Sequence, residues 1–233
     1  FTTEYQYQPD IAGLADGGFV VTWHSERQDG DSNNYYNVYA QRYDATGSAE
    51  GGEFLVNTDT TSSEQYYPSV TALSDDAFVV TWYDGGRADV YGQMFNADGT
   101  EQGSEFRINS YTNSTQSYPS VTGLAGTDAG FVVTWQDDSQ HSGGSNTDVR
   151  GQVYDNSGTP VGDEFRANTS TYHHQQDPSV TALDDGSFVV TWESRYQDYS
   201  GSWGIYGQHF NADGSKATEA KLIGASADET LVF

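Results

Sequence analysis

Apolar residues along this chain come in short runs, not in long stripes. The clearest run is Phe-Val-Val-Thr-Trp, at 19–23, 78–82, 131–135 and 188–192. Gly, Asp, Asn and Ser cluster in the stretches between the runs, and none of the runs continues with the 3.6-residue period of an amphipathic helix. Short runs rich in valine and aromatics predict strands, and the turn residues between them predict hairpins. No helix is expected.

The same run four times over means an internal repeat. A proline precedes each copy (Pro9, Pro68, Pro119, Pro178), and a glutamine stands three residues before each proline (Gln6, Gln65, Gln116, Gln175). After each tryptophan comes a variable stretch, then a Val/Ile-x-Gly/Ala-Gln segment centred on Gln41, Gln93, Gln152 and Gln208. An Asp/Asn-x-x-Gly turn follows: Asp44 to Gly47, Asn96 to Gly99, Asp155 to Gly158, Asn211 to Gly214. A segment opening with Glu53, Glu105, Glu164 and, degraded, Glu219 closes each copy. Each copy therefore reads as four antiparallel strands, A to D. Proline sits in strand A, where a missing donor does least harm.

Four strands per repeat is the signature of a propeller blade, which buries its faces by stacking on neighbours. The prediction is an all-β, four-bladed β-propeller forming one domain over 1–233. Its blades span about 6–58, 65–110, 116–169 and 175–224. The motif tryptophans are expected to fill space between blades. The repeated glutamines are expected to link blades by hydrogen bonds from their side-chain amides to backbone.

Charge narrows the partners. With 34 acidic residues against 9 basic ones, the net charge is −25. Such a field repels phosphate backbones and anionic membranes, so neither nucleic acid nor membrane insertion is expected. Cysteine is absent, which excludes disulfides and thiolate metal sites. Carboxylates can still hold calcium. The chain opens at Phe1 without a charged-then-apolar leader, as a mature or excised segment would.

The motif string Gln-x-x-Pro-Ser-Val, Gly-x-Phe-Val-Val-Thr-Trp, Val-Tyr-Gly-Gln-x-Phe, Asp-x-x-Gly resembles a repeat of very large secreted bacterial proteins of the RTX (hemolysin) type. The resemblance implies an extracellular, calcium-rich setting. The glycine-rich nonapeptides that bind calcium in that family are missing, so that activity does not carry over.

A residue common to all four copies serves every copy; function is expected where copies differ. The first B–C loop offers Asp29, Asp31 and Asn33, with alternating oxygens like the opening of a calcium loop. The third offers Asp137, Asp138 and Asp148 around His141. The fourth offers Tyr196, Asp198, Tyr199 and Trp203, the one tryptophan outside the repeat. An indole beside tyrosines and a carboxylate suits a sugar ring. The sequence therefore reads as an extracellular, non-enzymatic, lectin-like module. It would bind carbohydrate or another cell-surface ligand through Trp203, Tyr196, Tyr199, Asp198 and His141. Calcium would stabilise it at Asp29, Asp31, Asn33, Asp137, Asp138 and Asp148. One alternative is a polysaccharide-degrading enzyme of lyase type, using Tyr172, His173 and His174 with Arg150, Arg166 or Arg195. The other is a structural, self-associating domain of a large adhesin.

Overall fold

The structure is a computed structural model. It describes residues 5–28, 35–60, 63–73, 76–126, 130–138, 146–171, 173–195 and 202–222, the stretch 218–222 as backbone alone. Internal contacts divide the chain into two compact units, Phe1–Ile108 and Asn109–Phe233.

In the first unit, β1 (Gln6–Gly13), β2 (Phe19–Glu26), β3 (Tyr36–Tyr43) and β4 (Ala49–Leu55) form one antiparallel sheet in chain order. A second follows with β5 (Gln65–Ala72), β6 (Phe78–Asp84), β7 (Asp89–Phe95) and β8 (Glu101–Arg107). The second unit repeats this arrangement. Its third sheet holds β9 (Gln116–Gly123), β10 (Phe131–Asp137), β11 (Asp148–Tyr154) and β12 (Pro160–Arg166). Its fourth holds β13 (Gln175–Ala182), β14 (Phe188–Arg195), β15 (Trp203–Phe210) and β16 (Lys216–Leu222). The fold is thus all-β, with four sheets of four antiparallel strands.

The Phe-Val-Val-Thr-Trp strand reads as continuous rather than alternating because it is covered on both faces. In β10 every residue from Phe131 to Trp135 is buried. One core in the first unit gathers Leu14, Val20, Val38, Val56, Val80, Trp82 and Phe95. Its counterpart in the second unit gathers Val132, Val149, Val153, Val190, Trp192 and Phe210.

The repeated turns close by side-chain oxygen. Asp44 accepts the N–H groups of Thr46 (2.8 Å) and Ser48 (2.9 Å), and Asp155 those of Ser157 (2.8 Å) and Thr159 (2.9 Å). These bonds, led by those from the Thr46 and Ser157 hydroxyls, hold both carboxyls below the usual aspartate range. Gly47 and Gly158 complete the turns at φ 82° and 78°, a region costly for side-chain-bearing residues.

The glutamines do not link sheets as expected. Those of strand A accept the indole N–H of their own sheet: Trp82 to Gln65 (2.9 Å), Trp135 to Gln116 (3.0 Å) and Trp192 to Gln175 (2.9 Å). Those of strand C donate to carbonyls of their own sheet, such as Gln41 to Arg42 (2.8 Å) and Gln152 to Val153 (2.9 Å) and Val161 (3.1 Å). They sit where the register between the third and fourth strands shifts. A shifted ladder leaves carbonyls without partners, and the amide supplies the donors.

Neighbouring sheets within a unit are tied by other groups. In the first unit Asp10 accepts the Val70 N–H (2.9 Å), and Glu105 accepts the Thr58 N–H (2.9 Å). In the second, Ser120 accepts the Val180 N–H (3.2 Å).

One irregularity positions the functional side chains. Just before each strand-A proline, a non-glycine residue takes positive φ: Gln8 (49°), Tyr67 (53°), Tyr118 (53°) and Asp177 (50°). Register shifts accompany all four. Left-handed backbone at such residues costs on the order of 1–3 kcal/mol each. A bulge turns its side chain out of the pleat, a common device beside active sites.

Candidate active site

In the second unit the bulge of β13 presents Asp177. The next strand, β14, carries Glu193 directly across from Gln176. The Gln176 amide nitrogen lies 3.3 Å from Asp177 Oδ2 and 3.4 Å from Glu193 Oε2. The two carboxylate oxygens are therefore at most about twice 3.4 Å apart. That limit accommodates the roughly 5–5.5 Å between the two carboxyl groups of a nucleophile–acid pair acting on a glycosidic bond.

Two residues further along β14, and across its other edge, Arg195 faces Trp203 of β15. The guanidinium carbon stands 5.8 Å from the indole centroid, and the His174 ring 6.4 Å from it. The Arg195 N–H donates to the His174 carbonyl at 2.9 Å, which fixes this end of the sheet. Trp203 keeps 44% of its surface exposed. Asp138 stands near His174. Its carboxyl is raised, chiefly by desolvation and further by Asp137, against the Gln136 amide and His174. The same end of one unit thus offers paired carboxylates, an exposed indole, an imidazole and a third acid.

The corresponding end of the first unit is aromatic. His24 and Tyr83 occupy the position of Glu193, and Tyr7 and Tyr66 that of Gln176. His24 is buried among Tyr7, Tyr36, Tyr66 and Tyr67, whose ring centroids lie 5.2–6.5 Å away. Desolvation lowers its pKa to about 4. Burial, then the hydrogen bond to Glu64, raises the Tyr66 phenol.

The His24 shift sets an acid limit on stability. Between its ordinary value of about 6.5 and 4, the unfolded chain binds a proton that the folded chain refuses. Stability is therefore full above pH 6.5 and is lost as pH falls towards 4, by about 3 kcal/mol. Melting curves at pH 7 and 4.5 should show this loss, and His24→Phe should remove it. Equal pH slopes in the two proteins would refute the assignment.

Of the residues singled out from sequence, Trp203 is placed as described. Tyr196, Asp198, Tyr199 and His141, like Asp29, Asp31 and Asn33, lie outside the described residues, as does Tyr172. Asp137 and Asp148 face each other across β10 and β11 and are wholly buried. Asp137 pairs with Arg150 and accepts the Gln116 amide at 2.9 Å; Asp148 accepts the Asn168 amide at 2.6 Å, with Arg166 at 3.9 Å. The second sheet repeats this pair as Asp84 and Asp89, served by Arg87 and Arg107. Arginines and amides thus surround both carboxylates. Among the described residues no three His, Cys, Asp or Glu side chains converge as a metal site.

Asp177 and Glu193 were not singled out from sequence, though a signal existed. Their counterparts in the other repeats are Gln8, Tyr67 and Tyr118, and His24, Tyr83 and Gln136. Only the fourth repeat puts acids at both positions.

No protein-family model and no curated protein matches the chain. Solved structures do. A protein of unknown function from Dyadobacter fermentans aligns over 94% of this chain and 69% of its own, with TM-score 0.60 and 12% identity. An exo-1,5-α-L-arabinanase from a bovine ruminal metagenomic library aligns over 92% and 78%, with TM-score 0.54 and 12% identity. An α-L-arabinofuranosidase from Fusarium graminearum aligns over 88% and 58%, with TM-score 0.57 and 11% identity. At these identities the likeness is one of fold. It corrects the expectation of a non-enzymatic binding module. Similar solved structures are mostly named as glycoside-cleaving enzymes, arabinanases and arabinofuranosidases among them, which agrees better with the polysaccharide-degrading alternative.

Proposed function

We propose that this chain is a polysaccharide-degrading enzyme that hydrolyses glycosidic bonds, its four sheets serving as the blades of a propeller. The observation that carries the reading is the pair Asp177 and Glu193, held together by one amide at the end of the fourth sheet. One carboxyl protonates the leaving glycosidic oxygen. The other either attacks the anomeric carbon or takes a proton from the water that does. The C–O bond breaks, water supplies the new hydroxyl and hydrogen, and the carboxyls return to their starting protonation. Trp203 stacks on a neighbouring sugar ring.

Carbohydrate is the favoured ligand, and a polymer of that kind is met outside the cell. A net charge of −25 disfavours polyuronates, which argues for hydrolysis over β-elimination. The test is a panel of arabinan, xylan, levan, chitosan and polygalacturonate, monitored both for new reducing ends and for unsaturated product absorbance. Reducing ends without unsaturated product are expected. Unsaturated product, or no release from any glycan, would overturn the reading.

A further inference from the structure

The aromatic end of the first unit answers to none of the chemistry proposed for the second. At equivalent positions the second unit has Ser117, Gln136, Gln176 and Glu193. The first has Tyr7, Tyr66, Tyr83 and His24, joined by Tyr36 and Tyr67. Tyr7, Tyr36 and Tyr66 around one imidazole are not a demand of the repeat, since the sheets of the second unit form without tyrosine at those places.

Part of this cluster faces solvent. Tyr5 and Tyr7 are 63% and 46% exposed, with their rings stacked at 6.0 Å and 17°. The Tyr7 ring continues to Tyr36 at 6.1 Å, and Tyr36 to Tyr66 at 5.4 Å. The charge around them is negative. After burial, Glu26 and Glu64 are among the groups that raise the Tyr36 phenol. Arg27 is drawn to Glu26 at 3.8 Å. Under the rings lies His24, only 4% exposed, its Nδ1 without a hydrogen-bond partner among the described residues. Its imidazole stays neutral at ordinary pH and adds no positive charge.

Aromatic faces are negative, and carboxylates beside them deepen that field. The ligand such a surface selects is a cation with an apolar flank. The same unit already contains one instance, the Arg87 guanidinium 5.0 Å above the Tyr91 ring. A neutral sugar would gain the stacking alone, and a uronate would be repelled by Glu26 and Glu64.

We propose that the Tyr5–Tyr7–Tyr36–Tyr66 surface with Glu26 and Glu64 binds an amine-bearing glycan, the sugar rings lying on the tyrosines and the ammonium groups directed to the carboxylates. This site shares no residue with the Asp177–Glu193 pair and does not depend on hydrolysis there.

Calorimetry at pH 6 with the glucosamine hexamer, its fully N-acetylated form and an arabinose hexamer tests it. The three differ in charge and ring while keeping chain length. The glucosamine hexamer is expected to bind at least tenfold more tightly than either neutral chain. Tyr7→Ala should weaken it about tenfold, as loss of a cation–π partner does. Glu64→Gln should weaken it severalfold and flatten its salt dependence. Tyr111→Ala, an exposed tyrosine of the second unit, should leave it unchanged. Equal affinity for the acetylated and free hexamers would overturn the proposal. So would glucosamine binding indifferent to both Tyr7→Ala and Glu64→Gln in variants that melt like the parent.

Discussion

Glu193→Gln is expected to lower turnover of the cleaved glycan by about 10²–10⁴-fold while leaving the melting temperature unchanged. The substitution keeps the length of the side chain and an oxygen that the Gln176 amide can meet, so the ladder between β13 and β14 survives. It removes the capacity to exchange a proton or attack carbon. Asp177→Asn should act alike for the same reason. Its backbone, at φ 50°, lies in the left-handed region, which asparagine tolerates as well as aspartate does. The two carboxyls act as a unit, so the double variant should be scarcely slower than the worse single one. Trp203→Ala should instead raise KM more than it lowers kcat, because a stacking platform serves substrate and transition state alike. Turnover within threefold of the parent in both Glu193→Gln and Asp177→Asn would remove this pair from the chemistry.

Much of the fold was legible because it is local and repeated. The Phe-Val-Val-Thr-Trp runs are strands, and the Asp44–Gly47 and Asp155–Gly158 turns follow from residues a few positions apart. The partners of the glutamines were not legible. The sequence shows that Gln41 and Gln152 recur, but the register shift that opens carbonyls beside them is a property of the paired strands. The acid pair was hidden for a related reason. Asp177 and Glu193 meet through the ladder of β13 and β14 and a bulge that turns Asp177 outwards. The surroundings of Asp137 and Asp148 were not legible either. Read along the chain they look like spare carboxylates in a loop, whereas arginines two strands or less away neutralise them. Asp84 and Asp89, their counterparts one repeat earlier, carried the warning that the pair serves the fold. Trp203 stood out because the other three repeats lack it, and it does lie exposed.

The buried pair itself carries the largest expected effect on stability. Asp137→Ala should cost about 3–5 kcal/mol, the range for stripping one partner from a buried ion pair. The Asp137 side chain is fully buried, and Arg150 beside it is only 16% exposed, so the cation left behind has little water to turn to and only the more distant Glu164, at 4.0 Å, as a partner. The loss spreads further. Gln116, buried at the start of β9, would keep its bond from the Trp135 indole at 3.0 Å but lose the acceptor for its amide. Melting should drop on the order of 10 °C. Asp84→Ala, at the equivalent place in the first unit, should cost less. Its partner Arg87 is 43% exposed and can swing into solvent, leaving mainly the lost bonds from Ser63 (2.8 Å) and the Gly86 N–H (2.9 Å). Replacing Arg150 with Met in the Asp137→Ala background should recover part of the loss, because the stranded charge goes with it. A cost for Asp137→Ala below about 1 kcal/mol would mean that Arg150 reaches water after all, and the distinction between the two units would fall with it.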